Sequence, residues 1–320
     1  MSTLLINHDA VKALMNMPDV ITVVEDAFRM LGEGKANMPA KAYLLVEQGD
    51  FRAMPAALPG CAGMKWVNAH PNNPGRDLPS VMAVLVYNDP DTGYPLAIMD
   101  ATDITAYRTG AASALAAKHL AKRDSHTLGI IGAGYQSHTQ IAAHAELFDL
   151  TAINVFDISG DKVHVLMNAL PGYPVKSCSI EETVASDIVC TITPSRAPVV
   201  KREWVLPGTH INAVGADGAG KQELDPDILR DATVVVDDTR QAVAGGEINV
   251  PIKKGLFKSE QIYGTLAELV TGVKQGRTDD KALTVFDSTG IAIEDIAVAR
   301  FIYEKALKNG GCPSIDLIGI

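Results

Sequence analysis

A glycine-rich turn carries the clearest chemistry in this sequence. Gly132 and Gly134 follow the apolar run 128–131 and precede a helix-like stretch, residues 137–148. In a strand–turn–helix unit, the first glycine permits the tight turn and the second lets a pyrophosphate approach the backbone, where the helix N-terminus presents free N–H groups. Such a motif is weak evidence by itself, and Ser137 occupies the third glycine position. The flanking strand and helix nevertheless favour a dinucleotide site.

An acidic residue narrows the choice of cofactor. Asp157 ends the next predicted strand, about 20 residues beyond the turn, where a carboxylate accepts hydrogen bonds from the adenine ribose hydroxyls. It also repels a 2′-phosphate, so we expect NAD rather than NADP. The alternative is an ordinary strand–turn–helix unit in which Asp157 only caps a turn.

Several cations lie in or near apolar segments. Strand alternation places Met64 and Trp66 on one face and Lys65 on the other. Spacing alone leaves open whether Lys65 faces solvent or a pocket. The same alternatives apply to three further cations, Lys41, Arg52 and Arg108.

Composition excludes several classes of protein. The net charge of −10, with acidic and basic residues interspersed, argues against a nucleic-acid partner and favours a small-molecule ligand. No apolar stretch approaches the ~20 residues of a membrane span, and no signal segment is visible, so we expect a cytoplasmic protein. The four cysteines and eight histidines show no metal-ligand spacing, and no metal is predicted.

The elements that must position these residues fall into two groups. An amphipathic helix capped by Asp19 and ended by Gly32 precedes short strands and a hairpin, which predict an α+β domain with mostly antiparallel strands. From residue 127, continuous apolar strands alternate with helices, which is typical of a doubly wound parallel sheet. We expect an α/β fold: a Rossmann-type domain over residues 116–293, and an α+β domain over residues 1–115 and 294–320, which helix 293–307 joins.

Short motifs also recur in a characteristic order along the chain. They are GDFRAMP (49–55), MKWVN (64–68), MDAT (99–102), RTGAA (108–112), HINAVGAD (210–217), GKQELD (220–225), GEI (246–248) and FDSTG (286–290). Through them the sequence resembles the ornithine cyclodeaminase/mu-crystallin family over essentially its whole length, and most of all its archaeal alanine dehydrogenase branch.

The resemblance implies roles for individual residues. Lys41, Lys65 and Arg108 would hold the substrate carboxylate, with Arg52 nearby, and Asp217 would be the acid/base residue. Lys65 would be catalytic as an electrostatic anchor, or as a base if burial lowers its pKa. Besides Gly132, Gly134 and Asp157, the implied cofactor-binding residues are Ser80, Arg108, Thr109, Tyr135, Gln136, Thr193, Ile211, Asn212, Ala213, Val214, Lys221 and Ser288.

The resemblance also implies an activity and an assembly. The expected reaction is NAD-dependent, reversible reductive amination of pyruvate to alanine, and a cation cluster suits such a 2-oxo-acid or amino-acid substrate. The alternatives are ornithine cyclodeaminase, a cyclic imine or ketimine reductase, and, from another class, a non-catalytic crystallin-like protein that binds NAD(P)H or another ligand. In relatives the N-terminal domain joins strands across subunits, so the resemblance implies a homodimer and makes residues 1–115 and 294–320 the substrate-binding and dimerisation domain.

Overall fold

The computed structural model describes residues 2–319, and these divide into two compact units. The first unit runs up to Arg108 and resumes at Ile291, and the second runs from Thr109 to Gly290. Both boundaries between the units lie a few residues earlier in the chain than the domain boundaries that the sequence predicted.

The elements follow one another in three blocks. The N-terminal block contains β1 (Thr3–Ile6), α1 (His8–Leu14), α2 (Met17–Gly32), β2 (Ala42–Val46), β3 (Gly49–Leu58), β4 (Cys61–Ala69), β5 (Val81–Asn88), β6 (Pro95–Asp100) and α3 (Thr102–Leu120). The central block contains β7 (Thr127–Ile131), α4 (Tyr135–Leu147), β8 (Ala152–Phe156), α5 (Gly160–Ala169), β9 (Val175–Ser177), α6 (Ile180–Val184), β10 (Ile188–Thr191), β11 (His210–Ala213), α7 (Pro226–Asp231), β12 (Ala232–Val236), α8 (Thr239–Gly245), α9 (Asn249–Lys253), β13 (Ile262–Thr265), α10 (Leu266–Val270) and β14 (Leu283–Asp287). The C-terminal block contains α11 (Ala292–Asn309) and β15 (Ser314–Ile315).

The first unit is built on a mixed sheet. Over residues 2–319 this sheet has seven strands in the order β15-β1-β6-β5-β4-β3-β2. From β2 to β6 all neighbours are antiparallel, as predicted, whereas β1 pairs with β6 in parallel. In β4 the alternation is as expected: Met64 and Trp66 are partly exposed, and Lys65 is fully buried. Solvent exposure of Lys65 is therefore excluded.

One helix, α11, packs on the buried face of this sheet, and α2 packs on α11. α11 packs against α2, β3 and β4, and its buried residues include Ile296 and Ile302. α2 is the amphipathic helix that the sequence predicted, but Asp19 is not its N-cap. Asn16 caps it by accepting a hydrogen bond from the backbone N–H of Asp19, since the helix already begins at Met17.

The second unit is a doubly wound parallel sheet. Among the described residues it has eight strands in the order β13-β12-β14-β11-β10-β7-β8-β9, all of them parallel. From β7 the chain proceeds outward through β8 and β9, then returns to place β10 on the other side of β7. A ligand crevice forms at the carboxyl ends of the strands where the winding reverses in this way. The predicted α/β fold class is confirmed.

Apolar clusters cover this sheet. One cluster includes Val189, Ile211 and Val285, and another includes Leu128, Ile141 and Ile153. Within residues 2–319, none of the helices is both long and apolar enough to cross a membrane.

Candidate active site

In the first unit, two of the predicted substrate cations meet at one buried carboxylate. Lys65 Nζ lies 2.7 Å from Asp295 Oδ1, and Arg108 Nε donates to the same oxygen at 2.9 Å. Lys65 also donates to Thr105 Oγ1 at 3.2 Å, and Arg108 Nη1 donates to Glu294 Oε2 at 3.1 Å. Lys65, Asp295 and Glu294 are 0% exposed and Arg108 is 5% exposed. We call Lys65, Arg108, Glu294 and Asp295 the buried ion cluster.

The charges of the buried ion cluster shift two pKa values in opposite directions. Burial and the neighbouring Arg108 lower the pKa of Lys65 to about 7, although Asp295 opposes the shift. Burial alone would lower the pKa of Arg108, but Asp295 and Glu294 raise it above the usual range. At neutral pH, Arg108 is therefore a fixed cation, whereas Lys65 can exchange its proton.

Asp295 uses its two oxygens unequally. Oδ1 accepts from both cations, whereas Oδ2 is buried and has no hydrogen-bond partner among the residues that the structure describes. Leaving a buried acceptor unsatisfied costs about 1–3 kcal/mol, so the unpartnered Oδ2 atom lowers the free energy of unfolding.

The other two predicted substrate cations lie in and beside the strands at the β2 edge. Arg52, on β3, is 7% exposed, donates to Asp50 Oδ1 at 2.7 Å and has its guanidinium 5.4 Å from the ring centre of Tyr43. Lys41 lies just before β2 and is half-buried.

In the second unit, the glycine turn has the geometry that a dinucleotide needs. Gly132 has φ +109°, a conformation that favours glycine, and a Cβ there would lie 3.2 Å from Ile192. Gly134 is the N-cap of α4, and the position that its Cβ would occupy is open. A phosphate can therefore approach the helix N-terminus at Gly134.

Asp157 braces this turn. Its Oδ2 accepts from the backbone N–H of Ala133 at 2.8 Å, and its Oδ1 accepts from Ser159 at 2.8 Å. Carboxylate oxygens have further lone pairs, so ribose recognition remains open to Asp157. Ser137 is fully buried and donates to the carbonyl of Gly134, which fits the predicted close packing of α4.

A second buried carboxylate ties the strand-end loops together. Glu223 Oε1 accepts from the backbone N–H and the hydroxyl of Thr193, each at 2.7 Å. Its Oε2 accepts from the hydroxyl of Thr191 at 2.7 Å and from the backbone N–H of Gly215 at 2.8 Å. Glu223 thereby joins the loop after β10, which carries Thr193, to the loop after β11, which leads to Asp217.

Further carboxylates extend this brace. Glu247 accepts from the backbone N–H groups of Glu223 and Leu224, and Asp287 accepts from those of Glu247 and Ile248. Burial raises the pKa of Glu223, and burial together with Glu223 raises that of Glu247, whereas the N–H donors favour the charged form. Glu247 is therefore a loop-bracing residue.

The predicted acid/base residue lies in the loop after β11. Asp217 Oδ1 is 2.5 Å from Lys221 Nζ, so the structure brings together a predicted catalytic residue and a predicted cofactor-binding residue. Both side chains are partly exposed.

Ser288, after β14, has a buried hydroxyl with no partner among residues 2–319. Such a hydroxyl is available for a hydrogen bond to a ligand.

The remaining predicted cofactor residues occupy varied positions. Tyr135 opens α4 and is 58% exposed, and Gln136 follows it. In β11, Ile211, Asn212 and Ala213 are buried, and the Asn212 side chain bonds to His210 and His144. Three others remain: Ser80, whose carbonyl accepts from His70; Thr109, on α3; and Val214, whose N–H donates to Thr191.

Sequence reasoning missed the acidic partners of both regions. Glu294 and Asp295 lie in the first turn of α11, where acidic residues are common because they interact favourably with the helix dipole. Their proximity to Lys65 depends on packing between segments far apart in sequence. Glu223 was visible only as a part of the GKQELD motif.

Comparison with known proteins places this geometry in a family. Residues 1–310 match the model of the ornithine cyclodeaminase/mu-crystallin family. The chain is 49% identical over 314 residues to an alanine dehydrogenase of Archaeoglobus fulgidus, covering 97% of this chain and 98% of the relative.

Two solved structures have the same fold along nearly the full length. An archaeal alanine dehydrogenase dimer with bound NAD has a TM-score of 0.97 and 47% identity, covering 99% of this chain and 100% of that one. The Thermococcus litoralis Δ1-pyrroline-2-carboxylate reductase, in complex with NADH and L-proline, has a TM-score of 0.94 and 40% identity, covering 98% and 100%. With the glycine turn, the buried ion cluster and the braced strand ends in place, this chain belongs to the ornithine cyclodeaminase/mu-crystallin family.

Proposed function

We propose that this chain is an NAD-dependent alanine dehydrogenase, which catalyses reversible reductive amination of pyruvate to L-alanine. The observation that carries the proposal is the 49% identity to an alanine dehydrogenase over nearly the full length of both chains. The geometry of the two regions supports it.

The second unit is assigned the cofactor. Gly132, Gly134 and the N-terminus of α4 would hold the pyrophosphate, and Asp157 would hold the adenine ribose. The buried hydroxyl of Ser288 supplies a further polar group for the ligand. When bound, NAD accepts the hydride from alanine, and NADH returns it in the opposite direction.

The first unit is assigned the substrate carboxylate. Arg108 is a fixed cation held by Glu294 and Asp295, so its position is determined before substrate arrives. Such preorganisation reduces the cost of orienting the reactants. With its pKa near 7, Lys65 can serve as an anchor or as a proton carrier.

Asp217 is assigned proton transfer during addition and loss of water at the reacting carbon. Its carboxylate contacts Lys221 Nζ, and an ionised carboxylate has free lone pairs with which to accept a proton. The carboxylate lies in a loop at the carboxyl end of a sheet strand, where α/β proteins place reactive groups.

Two paired assays test the proposal. Purified protein is mixed with NADH, pyruvate and ammonium, and separately with NAD and ornithine, while absorbance at the NADH band and proline formation are followed. Consumption of NADH in the first mixture alone supports the alanine dehydrogenase. Formation of proline without a net change in NADH contradicts the proposal and indicates a cyclodeaminase, and inactivity in both mixtures indicates a non-catalytic binding protein.

One rival activity has a specific observation in its favour. The solved reductase of Thermococcus litoralis is 40% identical to this chain, and a buried pair of cations suits any 2-carboxylate. A third mixture, with NADH and Δ1-pyrroline-2-carboxylate, separates the two activities. A higher kcat/KM with this cyclic imine than with pyruvate and ammonium would make the reductase the better description.

We also propose that the protein is a homodimer. The edge strand β2 exposes large apolar side chains, among them Leu45 at 77% and Leu44 at 54%. An exposed apolar edge strand invites pairing with another chain, and a solved relative is a dimer. Light scattering that reports twice the mass of the 34.0 kDa chain supports the dimer, and the monomer mass contradicts it.

A further inference from the structure

The environment of Lys65 in the first unit is asymmetric. On β4, its neighbours in register are the buried apolar residues Met54 and Leu85. The charged groups that act on Lys65 come from helices: Arg108 from α3, and Asp295 and Glu294 from α11. Of these, Asp295 makes the direct contact with Nζ, at 2.7 Å.

Two cations would not remain close together in a buried environment without an anion. Arg108 Nε and Lys65 Nζ each lie within 3 Å of the same oxygen, Asp295 Oδ1. Removing one member of a buried charged group leaves the others uncompensated. The second carboxylate, Glu294, contacts Arg108 and accepts from the backbone N–H of Ile291 at the start of α11. The two acids are therefore not equivalent toward Lys65.

We propose that Asp295 is a positioning residue for the reaction. Its Oδ1 fixes Lys65 beside Arg108, and its charge determines whether Lys65 carries a proton at the pH at which the enzyme works. Asp295 thereby acts through Lys65 and Arg108, and we assign it no contact with the cofactor. The inference rests on the proposed role of Lys65 at the substrate.

The direction of the effect follows from electrostatics. An opposite charge in contact favours the charged form of a group, so Asp295 opposes the effect of burial on Lys65. Replacing Asp295 with asparagine preserves its shape and one acceptor oxygen but removes the charge. The neutral form of Lys65 then prevails at a lower pH than in the wild type.

The test uses the full-length protein carrying ¹³C at lysine Cε, titrated by NMR. The Lys65 signal is assigned by its absence from Lys65→Met. In the wild type we expect a midpoint near pH 7, and in Asp295→Asn we expect it to fall by about one pH unit or more. Glu294→Gln is the matched control inside the buried ion cluster, and we expect it to lower the Lys65 midpoint by less than Asp295→Asn does. Asp19→Asn removes a partly exposed acid paired with Lys305 and leaves the midpoint in place.

A kinetic measurement follows the same variants. The limb of the kcat/KM profile for pyruvate that reports Lys65 moves to lower pH in Asp295→Asn by the shift seen in the NMR titration. A purely structural role would lower activity equally at every pH. An unchanged or higher Lys65 midpoint in Asp295→Asn overturns the proposal, as does a uniform loss of activity with no displaced limb.

Two provisions keep the outcomes distinct. If Asp295→Asn does not fold, aspartate ¹³Cγ spectra of the wild type provide the test. The chemical shift of one aspartate signal must change at the Lys65 midpoint, and this change must be absent from Lys65→Met. If no such signal is found, the proposal is overturned. If the midpoint falls in Asp295→Asn but the wild type does not consume NADH with pyruvate and ammonium, the control of Lys65 by Asp295 stands and the proposed function fails.

Discussion

The two units stabilise buried carboxylates in different ways. In the first unit, Asp295 faces the side-chain cations Lys65 and Arg108. In the second unit, Glu223 and Glu247 accept from backbone N–H groups and threonine hydroxyls.

This difference separates two tasks. Side-chain cations can bind an anionic substrate, and one of them, Lys65, can also exchange its proton near neutral pH, so the buried ion cluster suits chemistry. Backbone donors carry no net charge and belong to fixed segments of chain, so the carboxylates of the second unit set the shape of the loops. Substitutions should therefore impair the reaction in the first unit and cofactor binding in the second.

The largest effect is expected from Lys65→Met. It removes a charged group that is proposed to bind the substrate, and general acid–base residues contribute about 10²–10⁴-fold, so kcat should fall by that order. Because one buried charge is left less compensated, unfolding free energy should also fall by about 3–5 kcal/mol. NADH affinity, measured by fluorescence titration, should remain close to that of the wild type.

Lys305→Met is the matched control for this substitution. Lys305 forms a partly exposed ion pair with Asp19, and such pairs contribute about 0–1 kcal/mol. Turnover should be unchanged. Comparable loss of turnover in both variants would show that the buried ion cluster has no special role.

A smaller effect, of a different kind, is expected from Glu223→Gln. Four donors converge on the two oxygens of Glu223, and the amide nitrogen of glutamine cannot accept from any of them. Two or more unsatisfied donors should cost about 2–4 kcal/mol of unfolding free energy and weaken NADH binding about tenfold or more. Urea unfolding and fluorescence titration measure these changes. If NADH affinity is unaltered, Glu223 does not hold Thr193 and the Asp217 loop in their cofactor-binding form.

The pH dependence of stability sharpens the comparison. In the second unit, burial lowers the pKa of His144 to about 4 and that of His210 to about 3, so both are neutral in the folded protein. The unfolded chain protonates them below pH ~6.5. It therefore binds more protons than the folded chain between pH ~6.5 and ~4, and stability falls as the pH is lowered through this window.

The slope of this loss is about 1.4 kcal/mol per pH unit for each histidine. His144→Asn should be less stable than the wild type at pH 7 but lose stability less steeply on acidification, because one protonation site is removed. Urea unfolding at pH 7, 6 and 5 provides the measurement. Equal slopes in the two proteins would show that His144 is not the group that titrates.

The smallest effect is expected from Asp157→Asn. Loss of the negative charge should raise the preference for NADPH relative to NADH by about tenfold, or about 1.4 kcal/mol. The substitution also weakens one hydrogen bond to the glycine turn, so affinity for both cofactors should decrease slightly. Relative kcat/KM values for NADH and NADPH measure the preference. An unchanged ratio would contradict the assignment of Asp157 to the ribose site.

Much of the second unit could be predicted because its strands are continuous apolar runs. The apolar run 128–131 forms β7 to within one residue, and the predicted helix 137–148 forms α4 to within two residues at its start and one at its end. Short peripheral strands such as β9 and β15 carry too few residues for a period to be recognisable. α3 also gave no signal, because a helix buried on nearly all sides lacks a polar face.

The candidate site was predictable only in part, for a physical reason. Lys65 is conspicuous because it interrupts an apolar strand, and the glycine turn has a local pattern. Asp295 lies 230 residues from Lys65, and its sequence context is that of any helix N-terminus. Pairing of this kind depends on tertiary packing, which local periodicity does not encode.

The most direct test of the proposed activity is the identity of the product. NADH, pyruvate and ¹⁵N-ammonium are incubated with the wild type, Lys65→Met and Lys305→Met, and the amino acids are identified by mass spectrometry. We predict ¹⁵N-alanine in amounts equal to the NADH consumed for the wild type and Lys305→Met, and almost none for Lys65→Met. NADH consumption without ¹⁵N-alanine, or wild-type rates in Lys65→Met, would contradict the assignment.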